Sequence, residues 1–313
     1  MALSPDPGTP SAWPHMLNHT ADNTLGATFT SLQALWTPTD KVNSLENAYH
    51  HMLQLRTAQP RGAHGHIGTY PLQAFKVWWL ARTLTDEMRL SKPAAWPVVC
   101  EVGFGTGMST AIMATATSSP TSSLIGGTHY IFDCRYCAGI AGGKTPSEHY
   151  LRKVFGDRCH FIEGDSARKL REFSKAQPNR TCGMISIDGA HTYPQVLNDI
   201  RAAWSLAHQE TVLVFDDYQD AQVNRSISEA IAENLIEICQ VYTAESPRFS
   251  DSLFSSNRAG RPAKWSAKLF VLARFVTSRT LHPKASTTFS CGHFRSRAGI
   301  LPLESLEQDQ PGR

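Results

Sequence analysis

VVCEVGFGTGMS, residues 98–109, is the stretch that decides the fold of this chain. An apolar run ends in an acidic residue, three glycines follow at alternate positions, and a helical pattern runs from Thr106 to Thr117. This order is typical of the first strand, turn and helix of a doubly wound α/β sheet, in which ligands bind beyond the carboxyl ends of the strands. Because glycine lacks Cβ, a ligand can lie directly against the backbone of this turn.

The spacing of the glycines discriminates between the ligands that such a turn can hold. A dinucleotide-binding turn requires Gly-x-Gly-x-x-Gly, and the third glycine is missing in both possible registers. The sequence therefore disfavours a dehydrogenase. Glu101 followed by Gly103, Gly105 and Gly107 instead resembles motif I of the class I S-adenosylmethionine-dependent methyltransferases. The resemblance implies that these four residues contribute to the cofactor site.

Composition limits the classes of protein and partner. The chain has 313 residues, is 41% hydrophobic and 18% charged, and carries a net charge of +3. This length suffices for one large α/β domain, and the charge is too small to indicate nucleic acid or an anionic membrane as a partner. No apolar run approaches the roughly 18 residues of a membrane span, and no secretory signal or transit peptide is visible. We therefore expect a cytoplasmic protein.

The seven cysteines favour the same compartment. Cys100 and Cys239 fall in predicted strands, and we expect them to be reduced interior thiols. Cys134 and Cys137 form a Cys-x-x-Cys pair, but no second pair of cysteines or histidines follows at zinc spacing. Neither a structural zinc site nor redox chemistry is expected there.

The chain divides into four predicted parts. Residues 1–40 are rich in Pro, Ser, Thr and Asn, and we expect them to be disordered. Residues 41–96 form an N-terminal helical extension, which either packs on the sheet or acts as a lid hinged in the glycine-rich segment 60–68. Residues 97–275 form the cofactor-binding domain. Residues 276–313 form a tail that is also expected to be disordered.

Further strands follow the glycine turn. Four apolar runs alternate with helical patterns and continue the parallel sheet: His129–Asp133, Cys159–Glu163, Gly183–Asp188 and Thr211–Tyr218. The last two strands, Glu237–Thr243 and Lys268–Phe275, would form an antiparallel hairpin in a methyltransferase of this class. The predicted fold is thus a Rossmann-like, doubly wound α/β sheet, mostly parallel, with a C-terminal antiparallel hairpin.

Acidic residues end the second and third strands. Asp133 lies 26 residues after Gly107, where a carboxylate can accept both ribose hydroxyls of an adenosine. Asp165 and Ser166 resemble the methyltransferase turn in which an aspartate binds the adenine amino group and the next residue caps a helix. Asp165 can equally serve as an ordinary helix cap, and both roles are compatible.

The segment 138–145 nearly matches a phosphate-binding loop. It reads AGIAGGKT, with alanine in place of the first glycine of Gly-x4-Gly-Lys-Thr. A strand should lead directly into such a loop, yet residues 134–137 intervene. We therefore expect a flexible loop with an exposed Lys144 rather than a nucleoside triphosphate site.

Three carboxylates and a histidine follow the fourth and fifth strands. Asp188 ends one strand, and Asp216 and Asp217 end the next. Neighbouring strands lie about 4.8 Å apart, so these carboxylates would repel one another unless a cation intervenes. An oxygen-rich site of this kind suits Mg²⁺. His191, three residues after Asp188, has an ordinary pKa suited to a general base near neutral pH.

These residues sharpen the resemblance. IDGAHTY at 187–193, together with LVFDDY at 213–218, looks like the family-24 group of class I methyltransferases and is similar to metal-dependent O-methyltransferases of macrolide sugars. The resemblance implies that Asp188, Asp216 and Asp217 bind Mg²⁺ and that His191 is the base, with Asp188 also near the cofactor. Catechol-type O-methyltransferases end this motif with Asp-Asn and use a lysine base, so the sequence departs from them.

The function predicted from the sequence is therefore S-adenosylmethionine-dependent methyl transfer to a small molecule, most directly to a hydroxyl with Mg²⁺ and a histidine base. One alternative is N- or S-methylation without a metal, because a neutral amine or thioether needs little deprotonation. Another is a non-catalytic protein that binds the cofactor. The sequence does not identify the methyl acceptor or the oligomeric state.

Overall fold

The computed structural model describes residues 47–48, 50–52, 54–55, 71–134, 146–247 and 265–276. Its helices are α1 (Pro71–Ser91), α2 (Met108–Ala116), α3 (Pro146–Phe155), α4 (Ser166–Ala176), α5 (Tyr193–Ala203) and α6 (Ala221–Ala232). Its strands are β1 (Val98–Val102), β2 (Ser118–Ser119), β3 (Ser122–Gly126), β4 (Thr128–Asp133), β5 (Cys159–Glu163), β6 (Met184–Ile187), β7 (Val212–Phe215), β8 (Ile236–Pro247) and β9 (Trp265–Phe275). The N-terminal 40 residues, the segments 60–68 and 138–145, and the tail beyond residue 276 lie outside the described residues.

Seven strands form one sheet in the order β5-β4-β1-β6-β7-β9-β8. The first five in this order are parallel, β9 runs antiparallel to β7, and β8 runs antiparallel to β9. The chain winds outward from β1 to β4 and β5 on one side, then returns to β6 and β7 on the other. The crossover between β1 and β6 is the switch point at which ligands bind in such sheets. The predicted fold class, with its antiparallel C-terminal hairpin, is confirmed.

Alternating side chains of the strands face two helical layers. On one face, Cys100 and Val102 belong to a continuous core that includes Leu170, Ile200 and Ile227 of α4, α5 and α6. On the other face lie α1 and α2, and Trp78 of α1 is completely buried. This aromatic residue therefore packs in the core, as the packing interpretation of α1 predicted. No helix among the described residues is both long and apolar enough to cross a membrane.

Several described elements differ from the predicted ones. The apolar spacing of residues 226–236 predicts a helix there, but α6 covers 221–232, because Asp220 caps its start by accepting hydrogen bonds from the backbone N–H groups of Gln222 and Val223. Strands β8 and β9 extend further than predicted into the segment 244–265. The hairpin of β2 and β3 was not predicted at all, because its serine-rich sequence lacks clear apolar alternation.

The side chain of Arg158 anchors the hairpin of β2 and β3. The guanidinium is buried and donates to Ser118 Oγ at 2.7 Å, to the Gly127 carbonyl at 2.9 Å and to the Ala114 carbonyl at 3.0 Å. Burial lowers the pKa of Arg158 to about 10. Because the three acceptors lie on α2, β2 and the turn before β4, the arginine ties the hairpin to the sheet.

The expectation of reduced thiols at Cys100 and Cys239 is wrong. Cys100 on β1 forms a disulfide with Cys182, which precedes the neighbouring strand β6, and the two Cα atoms are 5.9 Å apart. Cys134 and Cys239 are also disulfide-bonded, whereas Cys159 is a buried free thiol. Apolar periodicity correctly indicated that Cys100 is interior, but it carried no information on a partner 82 residues away.

Part of the N-terminal extension contacts α3. The ring nitrogen Nδ1 of His51 lies 2.8 Å from the hydroxyl of Tyr150, and the imidazole packs edge-on against Phe155. Burial lowers the pKa of His51 to about 4, so this histidine is neutral at physiological pH. It is a packing residue between the N-terminal extension and α3.

Candidate active site at the carboxyl edge of the sheet

The glycine turn after β1 packs against the loop after β6. Gly103 has φ +89°, and a Cβ at this position would lie 2.0 Å from the carbonyl oxygen of Asp188. Gly105 and Gly107 also have positive φ, and a Cβ on Gly107 would lie 2.8 Å from the Phe104 ring. The turn therefore requires glycine because of both its backbone conformation and the close approach of Asp188.

Glu101 lies beneath this turn. It is buried, and its two carboxylate oxygens accept hydrogen bonds from the hydroxyls of Ser109 and Thr110 in the first turn of α2. Burial raises the pKa of Glu101 to about 8, with smaller contributions from the charges of Asp133 and Asp188, against the lowering effect of the two hydroxyls. Glu101 thus fixes the start of α2 relative to β1. Direct contact of Glu101 with a cofactor stays a prediction.

Asp133 lies at the end of β4, beside the glycine turn. Its Oδ2 accepts a hydrogen bond of 2.6 Å from the backbone N–H of Phe104. The carboxylate opens onto a small cleft that is lined by Phe104, Ile131, Asp133, Phe161 and Ile162. A carboxylate beside aromatic and aliphatic side chains can bind a ribose next to a flat base, which is the role predicted for Asp133.

Asp165 and Ser166 begin α4, as predicted. Asp165 is the helix cap and accepts a 2.8 Å hydrogen bond from the backbone N–H of Arg168. The Ser166 hydroxyl donates to Asp199 Oδ1 at 2.6 Å, and Gln195 donates to both Ser166 and Asp199. A buried polar network therefore connects the start of α4 with α5.

This use of Gln195 overturns one expectation from the sequence. Thr192 and Gln195 have the spacing of a capping box at the start of α5. Helix α5 does begin at Tyr193, but Thr192 makes no side-chain capping hydrogen bond. The Gln195 amide instead points into the protein towards Asp199, whose buried carboxylate requires donors.

Asp199 gives the protein a predicted pH dependence. Burial, followed by the nearby charge of Asp165, raises its pKa from 3.8 to about 6, although Ser166, Gln195 and Arg171 act in the opposite direction. The folded state therefore retains a proton that the unfolded state loses above pH 3.8. As pH rises from about 4 to about 6, the free energy of unfolding falls, by up to about 3 kcal/mol from this group alone.

We expect Asp199→Asn to remove this dependence, because asparagine keeps the acceptor oxygen and cannot ionise. Urea unfolding at several pH values between 4 and 8 measures this pH dependence of stability. The free energy of unfolding of the variant should equal that of the wild-type protein near pH 4 and exceed it at pH 8. A difference between the two proteins that stays constant from pH 4 to pH 8 would refute the raised pKa of Asp199. Ser228→Ala, at an exposed position of α6, is the control.

Asp188, His191 and Asp217 converge at the same edge. Nε2 of His191 lies 3.3 Å from Asp217 Oδ2 and 3.6 Å from Asp188 Oδ1. One ligand atom from each residue falls within 4.8 Å of the others. The interaction with Asp188, followed by the charge of Asp217, raises the pKa of His191 despite its partial burial. The three side chains are 33%, 42% and 20% exposed respectively, so water or a substrate can reach them.

Asp216, the third predicted metal ligand, faces away from this cluster. It is buried, and its Oδ1 accepts hydrogen bonds from Gln73 Nε2 at 2.6 Å and from the backbone N–H of Asp217 at 2.7 Å. Asp217 adopts a left-handed conformation with φ +54°. The acidic pair therefore splits, with Asp217 directed towards His191 and Asp216 directed towards α1.

Residues 100–218 match the protein family Methyltransf_24, whose description is methyltransferase domain. This part of the chain is a methyltransferase domain. The match confirms the family that the glycine turn and the Asp-Gly-Ala-His motif predicted, the S-adenosylmethionine-dependent methyltransferases of the family-24 group, and it makes the protein an enzyme. It covers β1 to β7 and includes every predicted site residue, but neither α1 nor the terminal hairpin.

Solved structures with a similar arrangement include O-methyltransferases. One from Bacillus cereus, in complex with S-adenosylhomocysteine, is 14% identical over 80% of this chain and 97% of its own, with a TM-score of 0.49. TomG from Streptomyces achromogenes, an O-methyltransferase of tomaymycin synthesis in complex with S-adenosylmethionine, is 14% identical over 80% and 96%, with a TM-score of 0.47. No curated protein sequence matches the chain significantly.

The donor set of the methyltransferase domain fits a divalent cation. Two carboxylates and an imidazole converge from two loops, and their partial exposure leaves room for water or substrate to complete the coordination. Carboxylate and water oxygens are the ligands that Mg²⁺ prefers, whereas an additional imidazole favours a transition metal. The role of His191, as base or as ligand, therefore determines which metal the domain prefers.

Sequence reasoning missed two side chains that shape the methyltransferase site. Asp199 carries no motif, although it lies on the inward face of α5. Gln73 lies 143 positions before its partner Asp216 and outside the matched family.

Proposed function

We propose that this methyltransferase transfers the methyl group of S-adenosylmethionine to a hydroxyl of a small molecule, with Asp188 and Asp217 binding Mg²⁺ and His191 acting as the base. The observation that carries the proposal is the convergence of these three side chains beside the glycine turn. Gly103 lies directly against the Asp188 backbone. A methyl donor bound at this turn would therefore be close to the candidate base.

The cofactor would extend along the carboxyl edge of the sheet. Asp133 is the candidate acceptor for the ribose hydroxyls, and the apolar surface beside it, formed by Phe104 and Ile162, is the candidate site for adenine. Asp165 would bind the adenine amino group with the carboxylate oxygen that does not cap α4. The glycine turn would contact the methionine part, whose positive sulfonium is attracted by the acidic edge.

Methyl transfer is a displacement at carbon that depends on alignment and on a deprotonated nucleophile. His191 accepts the proton of the acceptor hydroxyl at Nε2. Bound S-adenosylmethionine would supply the methyl group: the hydroxyl oxygen would form its new bond to the methyl carbon as the bond from this carbon to sulfur breaks, with that electron pair remaining on sulfur. His191 returns its proton to solvent, to which it is partly exposed. A bound Mg²⁺ would supply positive charge that lowers the pKa of the hydroxyl.

The composition of the chain supports a small methyl acceptor. Nothing basic or repetitive in the sequence indicates a macromolecular partner, and the net charge is only +3. We therefore propose a small-molecule acceptor. A cytoplasmic location is part of the same proposal, although the disulfide between Cys100 and Cys182 removes the support that reduced thiols were expected to give.

Metal dependence tests this function. Production of S-adenosylhomocysteine would be measured with panels of hydroxyl, amine and thioether compounds, in EDTA and after Mg²⁺ is restored. We expect turnover of hydroxyl compounds only, lost in EDTA and recovered with Mg²⁺. Asp217→Asn should weaken Mg²⁺ binding at least about 10-fold, because even outer partners of a metal ligand are worth about 10- to 100-fold.

Asp220→Asn is the matched control for Asp217→Asn. It lies three residues away, and asparagine caps a helix as well as aspartate does. Turnover of an amine or thioether that persists in EDTA would contradict the proposal in favour of metal-independent N- or S-methylation. Binding of S-adenosylhomocysteine without any turnover would instead favour a non-catalytic protein.

A further inference from the structure

Gln73 reaches the candidate metal site from outside the methyltransferase domain. It lies near the start of α1 and is 1% exposed. Its Nε2 donates a 2.6 Å hydrogen bond to Asp216 Oδ1 at the end of β7. This is a contact between a buried amide and a buried carboxyl group, at the edge of the sheet that carries the site.

The same oxygen of Asp216 controls the conformation of the next residue. Asp216 Oδ1 also accepts the backbone N–H of Asp217 at 2.7 Å. Asp217 has φ +54°, a left-handed conformation that is unfavourable for a non-glycine residue. With this backbone, Asp217 Oδ2 lies 3.3 Å from His191 Nε2. Asp216 therefore acts on the site through the backbone of its neighbour.

We propose that Gln73 is a positioning residue that holds Asp216 out of the metal cluster and thereby presents Asp217 as the ligand. The inference rests on the proposed function and adds to it, because it gives α1 a part in building the site. Without the amide donor, the Asp216 carboxylate loses the buried hydrogen bond that directs Oδ1 towards α1, and the same oxygen then holds the N–H of Asp217 less rigidly. The ligand pair of Asp188 and Asp217 would then lose its defined geometry.

A purely structural role would not favour glutamine here. Among the described residues, the second polar atom of Gln73, Oε1, is buried without a hydrogen-bond partner, which is unfavourable for a polar atom. The opposite orientation of the amide would face this oxygen towards the Asp216 carboxylate, so the assigned orientation is the attractive one. A buried methionine would fill the same space without the unpaired oxygen. The amide donor is therefore the feature that distinguishes glutamine at this position.

The test compares Gln73→Met with the wild-type protein. Methionine is close to glutamine in shape but donates no hydrogen bond. Calorimetric titration with Mn²⁺ alone measures the metal site, titration with S-adenosylhomocysteine measures the cofactor site, and urea unfolding measures stability. We expect Mn²⁺ affinity to fall about 10- to 100-fold, with cofactor affinity within twofold and stability nearly unchanged. Gln73→Asn keeps the amide but is one methylene too short, and it should cause the same loss.

Thr85→Val is the control on the same helix. Thr85 is equally buried, but its hydroxyl donates only to the Ala81 carbonyl of α1, so Mn²⁺ affinity should not change. In an Asp216→Asn background, Gln73→Met should cause little further loss, because Gln73 acts through Asp216. A wild-type protein that binds Mn²⁺, and a Gln73→Met variant that binds it equally well, would overturn this inference alone. A wild-type protein that binds no Mn²⁺ would overturn the metal site and this role with it.

Discussion

Replacing Gly103 with alanine is expected to abolish S-adenosylhomocysteine binding and to lower the free energy of unfolding by at least about 3 kcal/mol. A side chain at φ +89° costs about 1–2 kcal/mol by itself. The new Cβ would also lie 2.0 Å from the Asp188 carbonyl oxygen and 2.9 Å from Gly189 Cα. Both neighbours are backbone, so relief requires the loops after β1 and β6 to separate. These are the loops that carry the cofactor turn and Asp188.

Gly156→Ala is the matched control for this variant. Gly156 also has positive φ, at +60°, but a Cβ there would meet only the end of the Leu124 side chain at 3.2 Å. Urea unfolding and calorimetric titration of both variants separate the two contributions. We expect Gly156→Ala to lose about 1–2 kcal/mol and to bind S-adenosylhomocysteine normally. Equal stability losses in the two variants would contradict the close packing of Gly103 on Asp188.

His191→Ala is expected to lower kcat by about 10²- to 10⁴-fold, which is the usual contribution of a general base. Because Asp188 and Asp217 keep their carboxylates, Mg²⁺ and S-adenosylhomocysteine should bind with affinities within a few fold of the wild-type values. Turnover is followed as formation of S-adenosylhomocysteine with the best hydroxyl acceptor. The metal and the cofactor are titrated by calorimetry.

His149→Ala controls for the loss of a histidine, since His149 is exposed on α3 and outside the site. An unchanged kcat in His191→Ala would exclude His191 as the base. Loss of metal binding as large as in Asp217→Asn would make His191 a third ligand instead, and the site would then favour Mn²⁺ or another transition metal over Mg²⁺. Because His191 Nε2 lies 3.3 Å from Asp217 Oδ2, the geometry is compatible with either role. The metal titration of His191→Ala distinguishes the two roles.

The parallel strands and their carboxyl ends were predictable from the sequence. Each buried strand is a short apolar run that ends at a glycine or an aspartate, so Gly103, Asp133 and Asp188 could be assigned to the same edge before the sheet order was known. Strand periodicity and helix caps are local properties of the chain. This is also why α4 and α5 begin where they were predicted to begin.

Features that depend on distant partners were not predictable. The sequence places Asp216 and Asp217 at one edge, but an acidic pair cannot reveal which member turns inwards, because that depends on a glutamine from α1. The disulfide of Cys100 likewise depends on the proximity of Cys182. Gln195 fits a local capping pattern, but its side-chain amide instead donates a hydrogen bond to the buried carboxylate of Asp199.

The most direct test of the central claim is thermal unfolding of the full chain with S-adenosylhomocysteine, NAD or ATP, each with and without Mg²⁺. A ligand at 100 times its dissociation constant stabilises a protein by about 2.7 kcal/mol, which raises Tm measurably. We predict a higher Tm with S-adenosylhomocysteine, a further increase when Mg²⁺ is added, and no increase with NAD or ATP. No shift with S-adenosylhomocysteine, together with a shift with NAD or ATP, would contradict the assignment of this site to methyl transfer.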